Sequence, residues 1–120
     1  MADHPPIVAD ALRVHGALDA GEIDELVARW SKLDQRLQSF RDRTIGIDLH
    51  VNDRDTPGQR ITLEVQIGGF KALVASSASP ILAVGLNEVR DDMIRLLGDA
   101  KNRTEPRRNR KLRQSSRHPA

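Results

Sequence analysis

Two stretches in the middle of the chain alternate between apolar and polar residues. Every second residue is apolar in residues 45–51, and the same pattern returns in residues 61–67. A period of two is typical of β-strands that bury one face and expose the other. The intervening residues 52–59 read NDRDTPGQ, and they combine Asn, Asp, Pro and Gly, which favour a turn. The sequence therefore predicts two antiparallel strands joined by a hairpin loop, with an apolar face that other elements must cover.

Two segments with a helical period provide that cover. The first begins at Asp19, whose Asp-x-x-Glu spacing to Glu22 is typical of a capping box. The apolar residues of this predicted helix recur every three or four positions, and we expect the helix to end near Ser39. The second follows Ser79 and Pro80, which the sequence predicts as the N-cap and the first helical residue. Both helices therefore carry one apolar stripe.

Two further strands complete the predicted fold. The segment ALRVHGAL, residues 11–18, has Leu12, Val14 and Gly16 on one parity and is predicted to hold a short strand before the first helix, and FKALVAS from Phe70 is predicted to form the last strand of a meander. Because parallel βαβ connections are right-handed, the first helix covers one face of the sheet, and the second helix must cover the same apolar face. The predicted fold is α+β: a two-layer β-α-β-β-β-α sandwich, with a four-stranded mixed sheet and two helices packed on one face, similar to double-stranded-RNA-binding-like folds.

Charge is divided unevenly along the chain. Residues 1–100 contain 11 Lys or Arg and 16 Asp or Glu, a net charge of −5, whereas the last 20 residues contain 8 basic residues and Glu105, a net charge of +7. Such asymmetry indicates interaction with nucleic acid or an anionic surface. The predicted divisions are a flexible leader at residues 1–10, one domain at residues 11–102 and a basic disordered tail at residues 103–120.

Side chains that support catalysis or metal binding lack a usable arrangement in the sequence. The chain has no Cys, its 4 His residues lack metal-ligand spacing, and neither glycine-rich phosphate-binding pattern occurs. Asp53 and Asp55 in the hairpin loop are more simply turn residues than a weak cation site. We therefore expect no enzymatic activity, no cofactor, no metal and no small-molecule substrate. No apolar stretch is long enough for a membrane span, so we expect a cytoplasmic protein without a membrane partner.

The order of elements and three stretches of sequence resemble the ribosome hibernation-promoting factors, also called ribosome-associated inhibitors, of the sigma-54 modulation and S30EA group. The stretches are VARWSKLDQRL in the first helix, the hairpin IDLHVNDRDTPGQRITLEVQI, and LVASSASPILAVGLNEVRDDMIRLLGDAKNR. The resemblance covers about residues 11–113. It implies a short form of the family, without the C-terminal domain that dimerises ribosomes in long members.

The resemblance also implies a partner, the small ribosomal subunit with its 16S-type rRNA, bound in the channel that messenger RNA and transfer RNA use. Basic residues of both helices and of the C-terminal extension make these contacts in the family. The corresponding residues here are Arg29, Lys32, Arg36, Arg90, Lys101, Arg103, Arg107 and Arg108. Tail charge adds Arg110, Lys111 and Arg113 to the predicted RNA-binding residues, since each of them can neutralise a phosphate.

The second helix departs from the family pattern, because it carries Asp91, Asp92 and Asp99. This departure shifts the expected RNA affinity from the domain to the tail. We predict a non-enzymatic factor that occupies the small-subunit channel and inhibits translation, or stabilises idle ribosomes under stress. The alternative is a protein-interaction or regulatory adaptor whose tail is only an address or a solubiliser. A small hydrolase would need a convergent catalytic set, which the sequence lacks.

Overall fold

A computed structural model describes the backbone of residues 6–117 and the side chains of residues 6–102. Residues 1–5 of the predicted leader and residues 118–120 of the predicted tail lie outside the described residues. The elements, in chain order, are α1 (Ile7–Ala11), β1 (Leu12–Gly16), α2 (Ala20–Arg29), α3 (Ser31–Leu37), a 3₁₀ turn (Gln38–Phe40), β2 (Ile45–Asn52), β3 (Arg60–Ile67), β4 (Leu73–Ser77) and α4 (Leu82–Arg117).

The four strands form one sheet in the order β1-β2-β3-β4. β1 runs parallel to β2, and the other neighbours are antiparallel. Leu49 lies opposite Val14 on one side and Leu63 on the other, so apolar side chains of adjacent strands share one face. The predicted α+β fold with a four-stranded mixed sheet and helices packed on it is confirmed.

The core lies between that apolar face and the helices. Its side chains are mostly aliphatic, and among the described residues the helices and the turns between them contribute ten of the buried ones: Val8, Leu26, Trp30, Leu33, Leu37, Phe40, Val89, Met93, Leu97 and Ala100. The opposite face of the sheet has no helical cover among the described residues, and its side chains are half-buried or exposed and, apart from Val74, polar. Of the two faces, only this one is left uncovered for a partner.

The N-terminal segment corrects the predicted leader at residues 7–10, because these residues belong to helix α1. The amides of Ile7 and Val8 donate to the Asp34 carboxylate at 2.7 and 2.8 Å, so a side chain of α3 caps the start of α1. Val8 is buried in the core. The capping partner is 26 positions away in sequence, which is why local pattern did not indicate this helix.

The first long helix is also corrected, because it is two helices that meet at Trp30. The predicted capping box is present, with the Glu22 amide donating to Asp19 at 2.8 Å and the Asp19 amide donating to Glu22 at 3.1 Å. Trp30 has φ −93° and ψ 24°, and its amide is shared between the carbonyls of Leu26 and Val27. This tightened turn ends α2, and α3 begins at the next residue.

Helix α4 begins later and continues further than predicted. Ser79 is not its N-cap: its hydroxyl accepts from the Ile81 amide at 3.2 Å, and the helix starts at Leu82. The backbone stays helical to Arg117, where we predicted a disordered tail from residue 103. Arg, Lys and Gln are good helix formers, and they extend a helix that packing has already nucleated.

Candidate nucleic-acid interface

The first three predicted RNA-binding residues are solvent-exposed on α2 and α3. Arg29 ends α2, whereas Lys32 and Arg36 lie one turn apart on α3, so the spacing of three and four residues persists across the junction at Trp30. None of the three side chains makes an ion pair or a side-chain hydrogen bond within residues 6–102. We call Arg29, Lys32 and Arg36 the helical cations.

The predicted basic residues of α4 have a different environment. Arg90 is only 24% exposed, and its guanidinium donates to the neighbouring Asp91 at 2.8 Å. Asp92 lies 3.5 Å from Arg95 on the same helix. Lys101 is half-buried and already interacts within the protein. Of the three aspartates that depart from the expected pattern, Asp91 and Asp92 therefore lie beside the arginines of α4 and partly neutralise them.

The remaining predicted contacts lie in the part of α4 whose side chains are not described. These residues are Arg103, Arg107, Arg108, Arg110, Lys111 and Arg113. Their backbone is helical, and their role in RNA binding stays a prediction. Pro106 lies within this helical segment although it has no amide to donate to the preceding turn, a loss that costs about 3 kcal/mol in a helix interior.

The polar face of the sheet is organised around Asp48. Its carboxylate lies 3.0 Å from His15 Nε2 and 3.3 Å from Arg13 Nε, and it accepts from the Gln66 amide at 3.3 Å. The hydrogen bond from His15, followed by those from Gln66 and the charge of Arg13, lowers the pKa of Asp48. His15 also stacks on His50, with ring centroids 4.5 Å apart. The polar groups of this face are therefore bonded mainly to one another.

A second paired cluster fastens the hairpin loop to α2. Arg54 donates to both oxygens of Glu22 at 2.8 and 2.6 Å, and it also donates to the Ala17 carbonyl. The hydrogen bonds from Arg54 lower the pKa of Glu22 from 4.5 to about 2, and the Asp19 amide adds to this effect. Glu22 reciprocally raises the pKa of Arg54. This ion pair, at 2.6 Å, therefore holds the hairpin loop on α2.

A small cleft opens between α2 and the first turns of α4. Its volume is about 120 Å³, and one of its walls is formed by Trp30, which is fully buried. The lining residues are Leu18, Glu22, Glu25, Leu26, Arg29, Trp30, Leu82, Ala83, Leu86 and Asn87. The indole Nε1–H of Trp30 has no acceptor among the described residues. Both apolar and polar side chains line the cleft, and one of them, Arg29, is a helical cation.

Metal and membrane sites are not features of the described part of the chain. Residues 6–102 contain no group of three His, Asp or Glu side chains placed to hold a metal ion, although two His and an Asp adjoin on the sheet. Within the same described residues, no helix has the length and apolarity needed to cross a bilayer.

Sequence reasoning missed two of these features. Arg54 was treated as part of an ordinary turn, although its guanidinium clamps the loop to α2. The cleft was missed because Trp30 was assigned simply to the core, and a buried donor without a partner leaves no signal in the sequence. The capping pattern of Asp19 and Glu22 gave a weak signal for the Arg54 contact, since it placed a carboxylate at the start of α2.

Comparison with known proteins gives one informative result. No protein-family model and no curated protein matches the sequence. Among solved structures, the N-terminal domain of Protein Y from Thermus thermophilus superposes with a TM-score of 0.53 over 72% of this chain and 91% of that domain, at 12% identity. The chain therefore has the fold of the Protein Y N-terminal domain, and the resemblance drawn from its sequence is confirmed at the level of the fold.

Proposed function

We propose that this protein binds the small ribosomal subunit through phosphates of its rRNA. The observation that carries the proposal is the set of helical cations, which are exposed and unpaired within residues 6–102 of a domain with the Protein Y fold. A cation without a protein partner can displace counterions from RNA without first breaking an ion pair. Arg36 and Arg29 add the planar donor geometry that suits phosphate oxygens.

The mechanism that follows is occlusion, with no chemical step. Contacts to phosphate and sugar hold a protein in register but read no sequence, so the domain recognises the form of folded rRNA. A compact domain held in the channel of the small subunit excludes messenger RNA and transfer RNA by volume. Translation is inhibited, and the idle subunit is stabilised, for as long as the factor stays bound.

The tail would strengthen this attachment. The predicted contacts in residues 103–113 lie within the C-terminal half of α4, and each phosphate neutralised contributes about 0.7–0.9 to the slope of log affinity against log salt. Five cations lie within residues 107–113. Replacing all five by Gln should therefore reduce the slope by roughly 3.5–4.5. A variant with residues 107–113 in shuffled order is the matched control, because it keeps the charge.

Cosedimentation with purified small subunits over a range of salt tests the proposal. We expect binding at low salt, a steep loss of affinity as salt rises, and displacement by a messenger RNA fragment with transfer RNA. Large subunits provide the comparison that should bind weakly. If the protein stays in the light fractions at low salt and instead retains a basic protein partner from lysate, the ribosomal proposal is wrong and the adaptor is favoured.

A further inference from the structure

Strand β4 forms one edge of the sheet, and its outer backbone groups have no partner among residues 6–102. The Gly68 amide donates to the Thr44 carbonyl at 2.9 Å, so the even-numbered residues of β2 and β3 exchange the hydrogen bonds of their ladder. The odd-numbered residues of β3 therefore bond to β4, and the N–H and C=O groups of Val74 and Ser76 point away from the sheet. The edge thus presents an open row of donors and acceptors.

This edge lacks the charges that usually protect an edge strand from other chains. Residues 72–87 contain no charged side chain, and they are the longest such stretch in a chain in which 30% of the residues are charged. The opposite edge differs, because β1 carries Arg13. The exposed large apolar side chains of the described residues, Val74, Ile81 and Val84, all lie in β4, in the following turn or in the first turn of α4. An open, uncharged edge beside exposed apolar side chains indicates a surface with which another chain pairs.

An acidic stripe of α4 lies beside this edge. The Ser77 hydroxyl at the end of β4 donates to the Glu88 carboxylate, which fixes that side of the helix against the strand. Asp92, Arg95 and Asp99 follow Glu88 at i+4, i+7 and i+11, so they continue along the same side of α4. We call these four residues the acidic stripe, since three carboxylates and one guanidinium give a net charge of −2. A chain added to β4 would have its helix-side side chains next to this stripe.

The acidic stripe decides which kind of chain fits the edge. If a second copy of the protein paired through β4 about a two-fold axis, the two acidic stripes would meet across the joint and repel each other. An extended segment with basic residues carries the opposite charge and is attracted to the stripe. Side chains of a strand alternate between its two faces. Basic residues on the helix side of the segment would therefore alternate with apolar residues that pack beside Val74, which is 54% exposed on the open face.

We propose that β4 binds an extended segment of a partner protein in which apolar and basic residues alternate. The backbone of the segment pairs with the outward groups of Val74 and Ser76 as a fifth strand, and its Lys or Arg side chains contact the acidic stripe. The inference goes beyond the proposed rRNA binding and does not depend on it, because the helical cations lie on α2 and α3. It adds a protein partner to the edge of the sheet.

The probe is a synthetic seven-residue peptide that alternates Val and Lys, titrated into the ¹⁵N-labelled full-length protein. We expect saturable binding with a Kd on the order of 0.1 mM, and slower hydrogen exchange at the amides of Val74 and Ser76. A peptide with Glu in place of Lys should bind at least about tenfold more weakly. Ser76→Pro removes one outward amide and leaves the bonds to β3, since an edge strand tolerates Pro where its N–H faces solvent. This variant should also bind the Lys peptide at least about tenfold more weakly, whereas Ser76→Thr, the matched control, should bind like wild type.

A second variant tests the acidic stripe in case Ser76→Pro does not fold. Asp92→Asn/Asp99→Asn leaves the edge intact, and its affinity for the Lys peptide should fall by about three- to tenfold. Asp24→Asn/Glu25→Gln removes two exposed charges from α2 instead and should bind like wild type. Unchanged amides of β4 at about 1 mM peptide overturn the inference, and so does equal affinity for the Lys and Glu peptides or full binding to folded Ser76→Pro. Protection that grows with protein concentration without peptide, together with a dimer in sedimentation, overturns it in favour of a second copy.

Discussion

The basic residues of the domain fall into two regions that differ in pairing. On the helical layer, Arg29, Lys32 and Arg36 are exposed and have no partner among residues 6–102. On the sheet face and the hairpin loop, Arg13 and Arg54 are held by carboxylates. A charge count taken from the sequence does not distinguish the cations of one region from those of the other. Their difference shows that pairing, more than number, decides which cations are available to RNA.

The strongest way to break this contrast is to remove the helical cations. In Arg29→Gln/Lys32→Gln/Arg36→Gln, the loss of three phosphate contacts should reduce the salt slope of small-subunit binding by about 2–3. At 0.1 M salt this corresponds to roughly a hundredfold loss of affinity, about 2.7 kcal/mol. Cosedimentation or fluorescence anisotropy against salt measures it.

A matched triple removes the same charge elsewhere. Arg41, Arg60 and Lys71 are exposed and lie outside the proposed interface, so changing them to Gln should cost much less affinity. Equal losses from the two triple variants would mean that binding depends on net charge alone, and the helical cations would have no special role.

The elements of this contrast were predictable to different degrees. The sheet and its register followed from the period-two pattern in residues 45–51 and 61–67, because a one-residue slip would have exposed the apolar set. The helical cations followed from helical spacing. Pairing was not predictable: Arg54 meets Glu22 across 32 positions of sequence, and Asp48 meets His15 across 33.

The junction at Trp30 and the helix α1 were missed for related reasons. No Gly or Pro marks the junction, since residues 27–33 read VARWSKL. Helix α1 has only 5 residues, too few to be stable alone, and it forms because Asp34 supplies its cap and the core buries Val8. Both features are set by tertiary contacts, on which single-sequence periodicity has no information.

Releasing a paired cation tests the other side of the contrast. Glu22→Gln removes the charged partner of Arg54, and we expect a lower free energy of unfolding at pH 7. Because the pKa of Glu22 is about 2 in the folded protein and 4.5 otherwise, its stabilisation is complete above about pH 4.5 and is lost as the pH falls toward 2. The stability difference between wild type and variant should shrink over that range.

Urea unfolding at several pH values measures this difference. Asp24→Asn is the control, because Asp24 lies on the same helix, is exposed and has no ion pair within residues 6–102. A difference between wild type and Glu22→Gln that stayed constant from pH 7 to 2 would show that the charge of Glu22 does not stabilise the fold.

Giving a helical cation a partner should have a smaller effect. Ala28 is exposed on α2, four residues before Lys32, and Ala28→Glu places a carboxylate N-terminal to a lysine at the favourable spacing, although the junction at Trp30 intervenes. We expect small-subunit affinity to fall by up to about tenfold, the equivalent of one phosphate contact. Ala28→Gln has a similar shape without the charge and should bind like wild type; if it binds as weakly as Ala28→Glu, side-chain bulk is responsible.

The smallest effect is expected from Asp48→Asn, which frees Arg13 and His15 on the sheet face. The pair between Arg13 and Asp48 is partly exposed, so its loss should change the free energy of unfolding by no more than about 1 kcal/mol. Small-subunit affinity should stay within about twofold of wild type, because the freed Arg13 lies on the face of the sheet opposite the helices. Glu64→Gln removes one negative charge from the same face without freeing Arg13, and it provides the control. If Asp48→Asn bound several-fold more tightly than Glu64→Gln, the availability of unpaired cations would still govern binding. The sheet, and not the helical layer, would then be the face that contacts RNA.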